Sequence, residues 1–259
     1  MKNTLIASAM TVLSAASLAV AESAPSSSVA PDAVRSLRTD AFQAPNGKTV
    51  AFTCIKHASL RIQYDGLEIQ IDPVGKGVAP ATDYAQFPKA DLILVTHEHF
   101  DHFDRDAIAA LRKDGTSVYA NPAVRGMLGD GIALRNGERA QVREDMTVEA
   151  VPAYNTTPGR EKFHPKGRDN GYVLTLGGFR VYVAGDTEDI PEMAGVKDAD
   201  VAFLPVNQPY TMTPEQAASA ARTVNPKVLF PYHYSQTPIQ KVADLLAGSG
   251  IDVRIRDYR

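Results

Sequence analysis

Six consecutive residues, His97 to His102 (HEHFDH), follow directly on the apolar run DLILVT and contain four side chains of metal-binding type. In extended backbone, side chains two positions apart point the same way, so His97, His99 and Asp101 can converge at the carboxyl end of the strand. His102 must then point elsewhere. The turn can therefore supply two adjacent metal ions, with the first two histidines on one and Asp101 and His102 on the other. Imidazole suits Zn(II), and a carboxylate also tolerates Mn(II) or Fe.

Further candidate ligands lie in similar settings. Asp186 follows the strand-like run in VYVAGD, and His233 follows the apolar run in LFPYH. The chain has six histidines, of which three fall in the HEHFDH turn, so a random scatter of surface histidines is a poor explanation. His164 lies in FHPKG. His57, in HASL, could line a pocket or orient a ligand, but a core histidine explains it equally well, and we leave it out of the metal set.

Length and composition indicate a globular protein. The 259 residues, 44% of them hydrophobic, can bury a full core. The formal net charge of -3 comes from interspersed charged residues, so nothing favours nucleic acid as a partner. Cys54 is the only cysteine, which excludes an internal disulfide, and its apolar surroundings predict a buried, unreactive side chain.

The N-terminal segment predicts export. A short basic start precedes the apolar, small residues 4–20, and Ala19-Val20-Ala21 matches a signal-peptidase site. We therefore predict a signal peptide over residues 1–21 and a periplasmic or secreted protein without stable membrane anchoring. A retained anchor is the alternative, but the apolar run is near the lower length limit for a membrane span. Residues 22–47, rich in Ser, Ala and Pro, predict a linker or arm, which leaves 48–259 as the folded domain.

Strand-like runs dominate the rest of the chain. TVAFTCI, SLRIQYDGLEIQIDP with a turn at Asp65-Gly66, and DLILVT come first. A helix is predicted from Arg105 to Lys113 with Asp104 as N-cap, and a second over TMTPEQAASAARTV with Thr213 in a capping box. Further strands are predicted over SVYANP, MTVEAVPAY, GYVLTLGGFRVYVAGD, VAFLPV and KVLFPYHY. This order predicts two sheets packed face to face with helices outside.

THEHFDH, AGDT and PYHY, in this order and separated by β-rich segments, resemble the metallo-β-lactamase superfamily over roughly Val50 to the C-terminus. The resemblance implies an α/β fold, an αββα four-layer sandwich of two mixed β-sheets flanked by helices, with a dinuclear site at one edge. The stretch HASLRIQYDGLEIQIDP further resembles the branch that contains ascorbate-6-phosphate lactonase-like proteins and the phospholipase D acting on N-acyl ethanolamine phospholipids.

The resemblance also implies ligands for two divalent metal ions, Zn(II) being favoured. They are His97 and His99 on the first ion, Asp101, His102 and His233 on the second, and Asp186 between the two. One position departs from the family pattern, because Asn155 stands where a first-metal histidine usually ends the strand before GDT. Either His164 supplies that ligand, which we favour because imidazole binds Zn(II) better than an amide, or Asn155 or water completes a weaker site.

Two neighbouring cations lower the pKa of a water between them and polarise an electrophilic oxygen. We therefore predict an ester-type hydrolase for a small-molecule substrate, of the lactone or phosphodiester class, with His97, His99, Asp101 and Asp186 in the catalytic centre. True β-lactamases of the superfamily lack an aspartate at the GDT position, and flavodiiron-type members carry Glu where this chain has His99, so the resemblance disfavours both activities. A non-catalytic metal-binding protein on the same scaffold is the alternative.

Several side chains are candidates for substrate contact. We predict that Asn155, Tyr210 and Tyr234 bind substrate. Any of these tyrosines, and equally Tyr154 and Tyr232, could instead be a packed aromatic. The cations around His164 would suit an anionic substrate, although a solvated loop explains them equally well; they are Arg160, Lys162, Lys166 and Arg168.

Overall fold

The computed structural model describes Met1 and residues 37–258, so the predicted signal peptide and most of the predicted linker lie outside the described residues. The described residues form two mixed sheets of seven strands each. The first sheet contains β1 Thr39–Gln43, β2 Thr49–Lys56, β3 Ser59–Tyr64, β4 Leu67–Ile71, β5 Leu92–Val95, β6 Ser117–Ala120 and β7 Ile132–Ala133. The second contains β8 Arg139–Arg143, β9 Met146–Ala153, β10 Asp169–Leu176, β11 Phe179–Val183, β12 Val201–Pro205, β13 Val228–Tyr232 and β14 Asp252–Val253.

In both sheets the pairing of neighbouring strands changes from antiparallel to parallel halfway across. Neighbouring strands are antiparallel from β1 to β4 and from β8 to β11, and parallel from β4 to β7 and from β11 to β14. The helices are α1 Arg105–Leu111, α2 Pro122–Leu128, α3 Pro214–Val224 and α4 Gln240–Leu245, with short 3-10 helices at Tyr84–Gln86 and Pro191–Val196. The predicted αββα sandwich is confirmed.

Local sequence signals explain where the main elements begin and turn. Asp65 and Gly66 both adopt positive φ, and Tyr64 pairs with Leu67, which is the geometry of a two-residue type I′ hairpin. The Asp104 carboxylate accepts the first free amides of α1, and the Thr213 hydroxyl and the Gln216 side chain close a capping box on α3. These predicted caps and the predicted hairpin are confirmed.

The main core lies between the two sheets, and a smaller core lies between the first sheet and α1 and α2. Phe203 from β12 packs against Phe52 from β2, with ring centroids 5.6 Å apart, so aromatic side chains from both sheets meet at the centre. Cys54 is buried with its Sγ 2.8 Å from the Tyr258 hydroxyl, and burial raises the pKa of its thiol to about 12. The prediction of a buried, unreactive cysteine agrees with this setting.

The fold begins earlier than the boundary expected at Lys48. β1 pairs along its whole length with β2, through a tight connection at residues 44–48, and so belongs to the first sheet. Its sequence, TDAFQ, buries one residue fully, which is too little alternation to predict a strand. Within the described residues, no helix is both long enough and apolar enough to cross a bilayer.

A buried ion pair connects the two ends of the described chain. The Arg256 guanidinium donates to both carboxylate oxygens of Asp40, from Nε at 2.7 Å and from Nη2 at 2.6 Å. Asp40 and Arg256 are 7% and 9% exposed, so the buried guanidinium depends on Asp40 for compensation of its charge. Arg254 Nη1 makes a further bond to Asp40 Oδ1, at 3.1 Å. Burial alone would raise the pKa of Asp40, but the bonds from Arg256 lower it overall.

We therefore expect Asp40→Ala to lower the free energy of unfolding by about 3–5 kcal/mol, since it leaves the buried guanidinium unpaired. Asp130→Ala is the matched control, because it removes an equally bidentate partner of Arg112 at a site where Asp130 is largely exposed. That change should cost less than about 1 kcal/mol. Denaturant unfolding measures both, and equal losses in the two variants would contradict this account.

Candidate metal centre

The candidate ligands follow strands from the parallel halves of the two sheets. β5 runs into the HEHFDH turn, β11 leads to Asp186, and β13 ends directly before His233. Parallel strands place their carboxyl ends at the same edge of a sheet, so residues that follow these strands collect at one edge of the sandwich. His164 reaches the same edge from the loop between β9 and β10.

Gly185 permits the close approach of the two sheets at this edge. It has a φ of +66°, and a Cβ at this position would lie 2.5 Å from the carbonyl oxygen of Asn170 and 3.3 Å from Thr96. Any side chain would therefore clash. Because Thr96 precedes His97 and Gly185 precedes Asp186, this contact brings candidate ligands from the two sheets together.

The first group of candidate ligands consists of His97, His99 and His164, each with one ring nitrogen within 4.8 Å of the other two. The closest pair is His97 Nε2 and His99 Nδ1, 3.0 Å apart. Of the two alternatives for the third position, the structure places His164 beside this pair. Asn155 instead donates from Nδ2 to the carbonyl of Tyr210 at 2.7 Å, and from its backbone N–H to the carbonyl of His164 at 2.8 Å. Asn155 therefore holds the loop that carries His164.

The second group consists of Asp101, His102 and His233, together with His57. Asp101 Oδ2 lies 3.0 Å from His57 Nε2, 3.5 Å from His233 Nε2 and 4.0 Å from His102 Nε2. His57 was not among the ligands predicted from the sequence. Its position depends on the turn between β2 and β3, where His57 has a φ of 49° and its carbonyl accepts a bond from the His233 backbone. No sequence signal beyond the HASL stretch indicated this contact.

Asp186 lies between the two groups. Its Oδ1 is 3.3 Å from His102 Nε2, while its Oδ2 is 3.4 Å from His164 Nε2 and 3.6 Å from His233 Nε2. One carboxylate therefore contacts an imidazole of the first group and two of the second. This is the arrangement in which a carboxylate can bridge two cations.

Buried polar atoms test whether these residues suit a metal ion. His102 Nε2, Asp186 Oδ1 and both ring nitrogens of His233 are buried without a hydrogen-bond partner among the described residues. Leaving such atoms unpaired is costly, and coordination of a cation would satisfy them. Imidazole nitrogens with carboxylate oxygens are a donor set that binds Zn(II) and related divalent ions. The residues fit.

Electrostatics favours the metal-binding protonation states of His97, His99 and Asp186. Burial, together with the neighbouring histidines, lowers the pKa of His97 well below its ordinary value and also lowers that of His99. Burial would raise the pKa of Asp186, but the surrounding histidines hold it well below the ordinary value. Neutral imidazole and ionised carboxylate are the forms that coordinate cations. Burial opposes a proton on His102, yet Asp186 and Asp101 raise its pKa well above the usual range, so a cation would compete with a proton there.

Two buried carboxylates orient His102 and His164 through contacts with their Nδ1 atoms. Asp72 Oδ2 lies 2.8 Å from His102 Nδ1, and Asp169 Oδ2 lies 2.9 Å from His164 Nδ1. Such carboxylates fix the ring orientation and leave Nε2 free for a metal. Neither carboxylate was predicted from the sequence. Asp72 directly follows β4 in the IDP stretch, and this position after a strand, which the predicted ligands share, is the signal that could have indicated it.

A cavity of about 350 Å³ opens onto the candidate ligands, and Tyr210 lines it as predicted for a residue near substrate. Tyr234 does not: its side chain is buried and its hydroxyl donates to the carbonyl of Arg256 at 2.7 Å. Tyr234 is thus a packed aromatic. Tyr232 is also fully buried, and the Tyr154 hydroxyl is bound to Glu192. Asn155 is 2% exposed and does not line this cavity.

Comparison with known families identifies a match over most of the folded chain. Residues 68–234 match the model of the beta-lactamase superfamily domain. A UPF0173 metal-dependent hydrolase of Methanopyrus kandleri is 30% identical over 196 residues, which cover 72% of this chain and 84% of the relative. A second, from Thermococcus kodakarensis, is 31% identical over 192 residues, covering 70% of this chain and 83% of the relative.

Solved structures give the same result. A crystal structure of a protein described as a metal-dependent hydrolase, from Parabacteroides distasonis, is 55% identical and superimposes with a TM-score of 0.83, covering 86% of this chain and 100% of that chain. A metallo hydrolase from Ignicoccus hospitalis is 27% identical with a TM-score of 0.66, covering 80% and 95% of the two chains.

If His164 completes the first group, His164→Ala should lower the amount of metal retained per chain, because one imidazole ligand is lost. Asp169→Asn should weaken retention more mildly, by about 10- to 100-fold in affinity, since it only loosens the orientation of His164. Elemental analysis after dialysis against graded chelator measures both. Asp114→Asn, at an exposed carboxylate outside both groups of candidate ligands, is the control. Full retention of metal by His164→Ala would contradict the assignment.

Proposed function

This chain belongs to the UPF0173 family of metal-dependent hydrolases within the beta-lactamase superfamily, and we propose that it cleaves an ester-type bond, of the lactone or phosphodiester class, at a site for two divalent ions. The observation that carries the proposal is the position of Asp186, within 3.3–3.6 Å of ring nitrogens from both groups of candidate ligands. A single ion would need neither two groups nor a carboxylate between them. The hydrolase relatives disfavour the alternative of a non-catalytic scaffold.

The proposed ligands are His97, His99 and His164 for one ion, Asp101, His102 and His233 for the other, and Asp186 for both. Zn(II) is favoured by the preponderance of imidazole, with Mn(II) or Fe as alternatives. When bound, two such cations lower the pKa of a water between them and polarise the electrophilic oxygen of the substrate.

The chain's own residues position the reactants around the ions. Asp101 lines the cavity, and His57 fixes its Oδ2 at 3.0 Å, so its carboxylate is oriented to accept a proton from an attacking water. Asn207 and Tyr210 line the same cavity and offer an amide and a hydroxyl as donors to a developing oxyanion.

The narrower likeness to the lactonase-like and phospholipase D-like branch is part of the proposal. Two residues of the HASLRIQYDGLEIQIDP stretch contact proposed ligands, His57 at Asp101 and Asp72 at His102. The stretch thus positions two of the proposed metal ligands. This role supports a relationship to the branch whose sequences it resembles. Asp186 disfavours true β-lactamase activity.

The proposal is tested with a panel of lactone, phosphodiester, thioester and β-lactam substrates on the metal-free and the metal-reloaded protein. We expect turnover of a lactone or a phosphodiester that disappears with chelator and returns with metal. Asp186→Asn should lower kcat/KM more than about 100-fold. Loss of a residue that only hydrogen-bonds to a metal ligand already lowers metal affinity or activity by about 10- to 100-fold, and Asp186 is itself a proposed ligand. Asp114→Asn should behave as the unmodified chain. Absence of metal-dependent turnover in every class would overturn the proposal.

We also propose that the protein is exported to the periplasm or beyond, with cleavage after Ala21. The mature chain should then begin at Glu22, which N-terminal sequencing of the protein purified from its own cells determines. Ala19→Leu and Ala21→Leu together should block processing and leave the full-length chain, because signal peptidase requires small residues there. A full-length chain in the unmodified protein would contradict export by this route.

A further inference from the structure

Three aromatic side chains frame the mouth of the candidate metal centre. Phe100, Phe163 and Tyr210 line the cavity together with the candidate ligands and Asn207. Phe100 is 72% exposed and Tyr210 is 46% exposed, so packing in the core does not explain an aromatic side chain at either position. The Phe163 ring packs edge-on against Tyr210 with centroids 5.1 Å apart. The surface that meets a substrate beside the ligands is therefore largely apolar.

Three cationic side chains in the loop that carries His164 form ion pairs with carboxylates. Arg160 Nη1 lies 3.4 Å from Glu188, Lys166 Nζ lies 2.8 Å from Glu192, and Arg168 Nε lies 2.6 Å from Asp169, the carboxylate behind His164. No lysine or arginine is among the described residues that line the cavity. An anionic substrate would thus meet no unpaired cation of the protein there.

Lys162 is the fourth cation of that loop. Its Nζ lies 5.1 Å from the centroid of the Phe163 ring, in contact with the ring face, and the side chain does not line the cavity. This placement is a cation–π contact. Lys162 therefore serves as a test residue, since it is the cation of this loop that an anionic substrate would recruit.

A second groove of about 590 Å³ continues from the cavity. Asn207 and Tyr210 line both spaces. Pro214 and Pro238 add apolar surface beyond Tyr210, among lining residues that are otherwise polar. Lys241, at this groove, is again paired, with Glu215. A substrate longer than the cavity can therefore extend past Tyr210 without meeting an unpaired lysine or arginine among the lining residues.

We propose that the substrate is an uncharged carboxylic ester or lactone whose apolar acyl chain packs against Phe100, Phe163 and Tyr210. This inference rests on the proposed ester hydrolysis at the same site. The oxygen of one water bonds to the acyl carbon, and the bond from that carbon to the alkoxy oxygen breaks. The two protons of the water end on the alcohol and on the carboxylic acid, which ionises at neutral pH. No other reactant is required.

The expected signature is a dependence on chain length. Burial of one methylene is worth about 0.8 kcal/mol, which corresponds to roughly fourfold in kcat/KM per methylene at most. The full metal-loaded chain is assayed with p-nitrophenyl esters from acetate to octanoate and with bis(p-nitrophenyl) phosphate. We expect kcat/KM to rise along the ester series and to exceed that for the phosphodiester.

Two variants locate the effect. Phe100→Ala should flatten the chain-length dependence, mainly through KM for the longer esters, with little change for acetate. Lys162→Gln should leave the whole series unchanged. A flat series in the unmodified chain, preference for the phosphodiester, or a loss of phosphodiester turnover in Lys162→Gln larger than any loss of ester turnover would overturn the inference.

Calorimetric binding of uncharged amides, from acetamide to octanamide, separates this inference from the proposed function. Affinity that rises with amide length supports an apolar acyl surface independently of turnover. If it rises but no ester or lactone is hydrolysed in a metal-dependent way, the proposed hydrolysis fails and the ester class fails with it. If esters are hydrolysed but neither the turnover nor the amide affinity depends on chain length, this inference alone fails.

Discussion

The geometry of the site depends most on the contacts that the buried Asp72 carboxylate makes with Thr96 and His102. Its oxygens accept bonds from the Thr96 backbone N–H at 2.8 Å and hydroxyl at 2.7 Å, and one of them lies 2.8 Å from His102 Nδ1. A fully buried carboxylate without these partners would be strongly disfavoured. Burial of Asp72 therefore requires Thr96 and His102 to be in place. Asp72 directly follows β4 and Thr96 directly follows β5, and parallel pairing of the two strands therefore sets the start of the HEHFDH turn.

The two sheets contribute different parts of one centre. The first sheet supplies the compact turn and the second supplies ligands that are far apart in sequence, Asp186 and His233. Neither set is complete alone, because Asp186 must reach imidazoles of both groups within 3.3–3.6 Å. Packing between the sheets is therefore also the packing that holds the site, and a change in the separation of the sheets would change the distances between ligands.

Residues governed by local rules were predictable from the sequence. The Asp65-Gly66 hairpin, the caps of α1 and α3 and the strand before HEHFDH each depend on neighbours a few positions away. Tyr234 was misplaced because His233 adopts a φ of 52°, where the alternation of side chains along a strand no longer applies. His57 was missed because its contact with Asp101 depends on how two distant turns meet in space. β1 was missed because it is short and largely exposed.

The ion pair between Asp40 and Arg256 has a topological consequence. It brings the first strand of one sheet beside the segment that follows the last strand of the other, so the described chain closes on itself. In each sheet the strands lie side by side in the order in which the chain makes them, and nothing in either pairing scheme depends on where the polypeptide starts. A circular permutation that joins these ends and opens the chain at an exposed connection between strands would preserve every strand pairing and every candidate ligand.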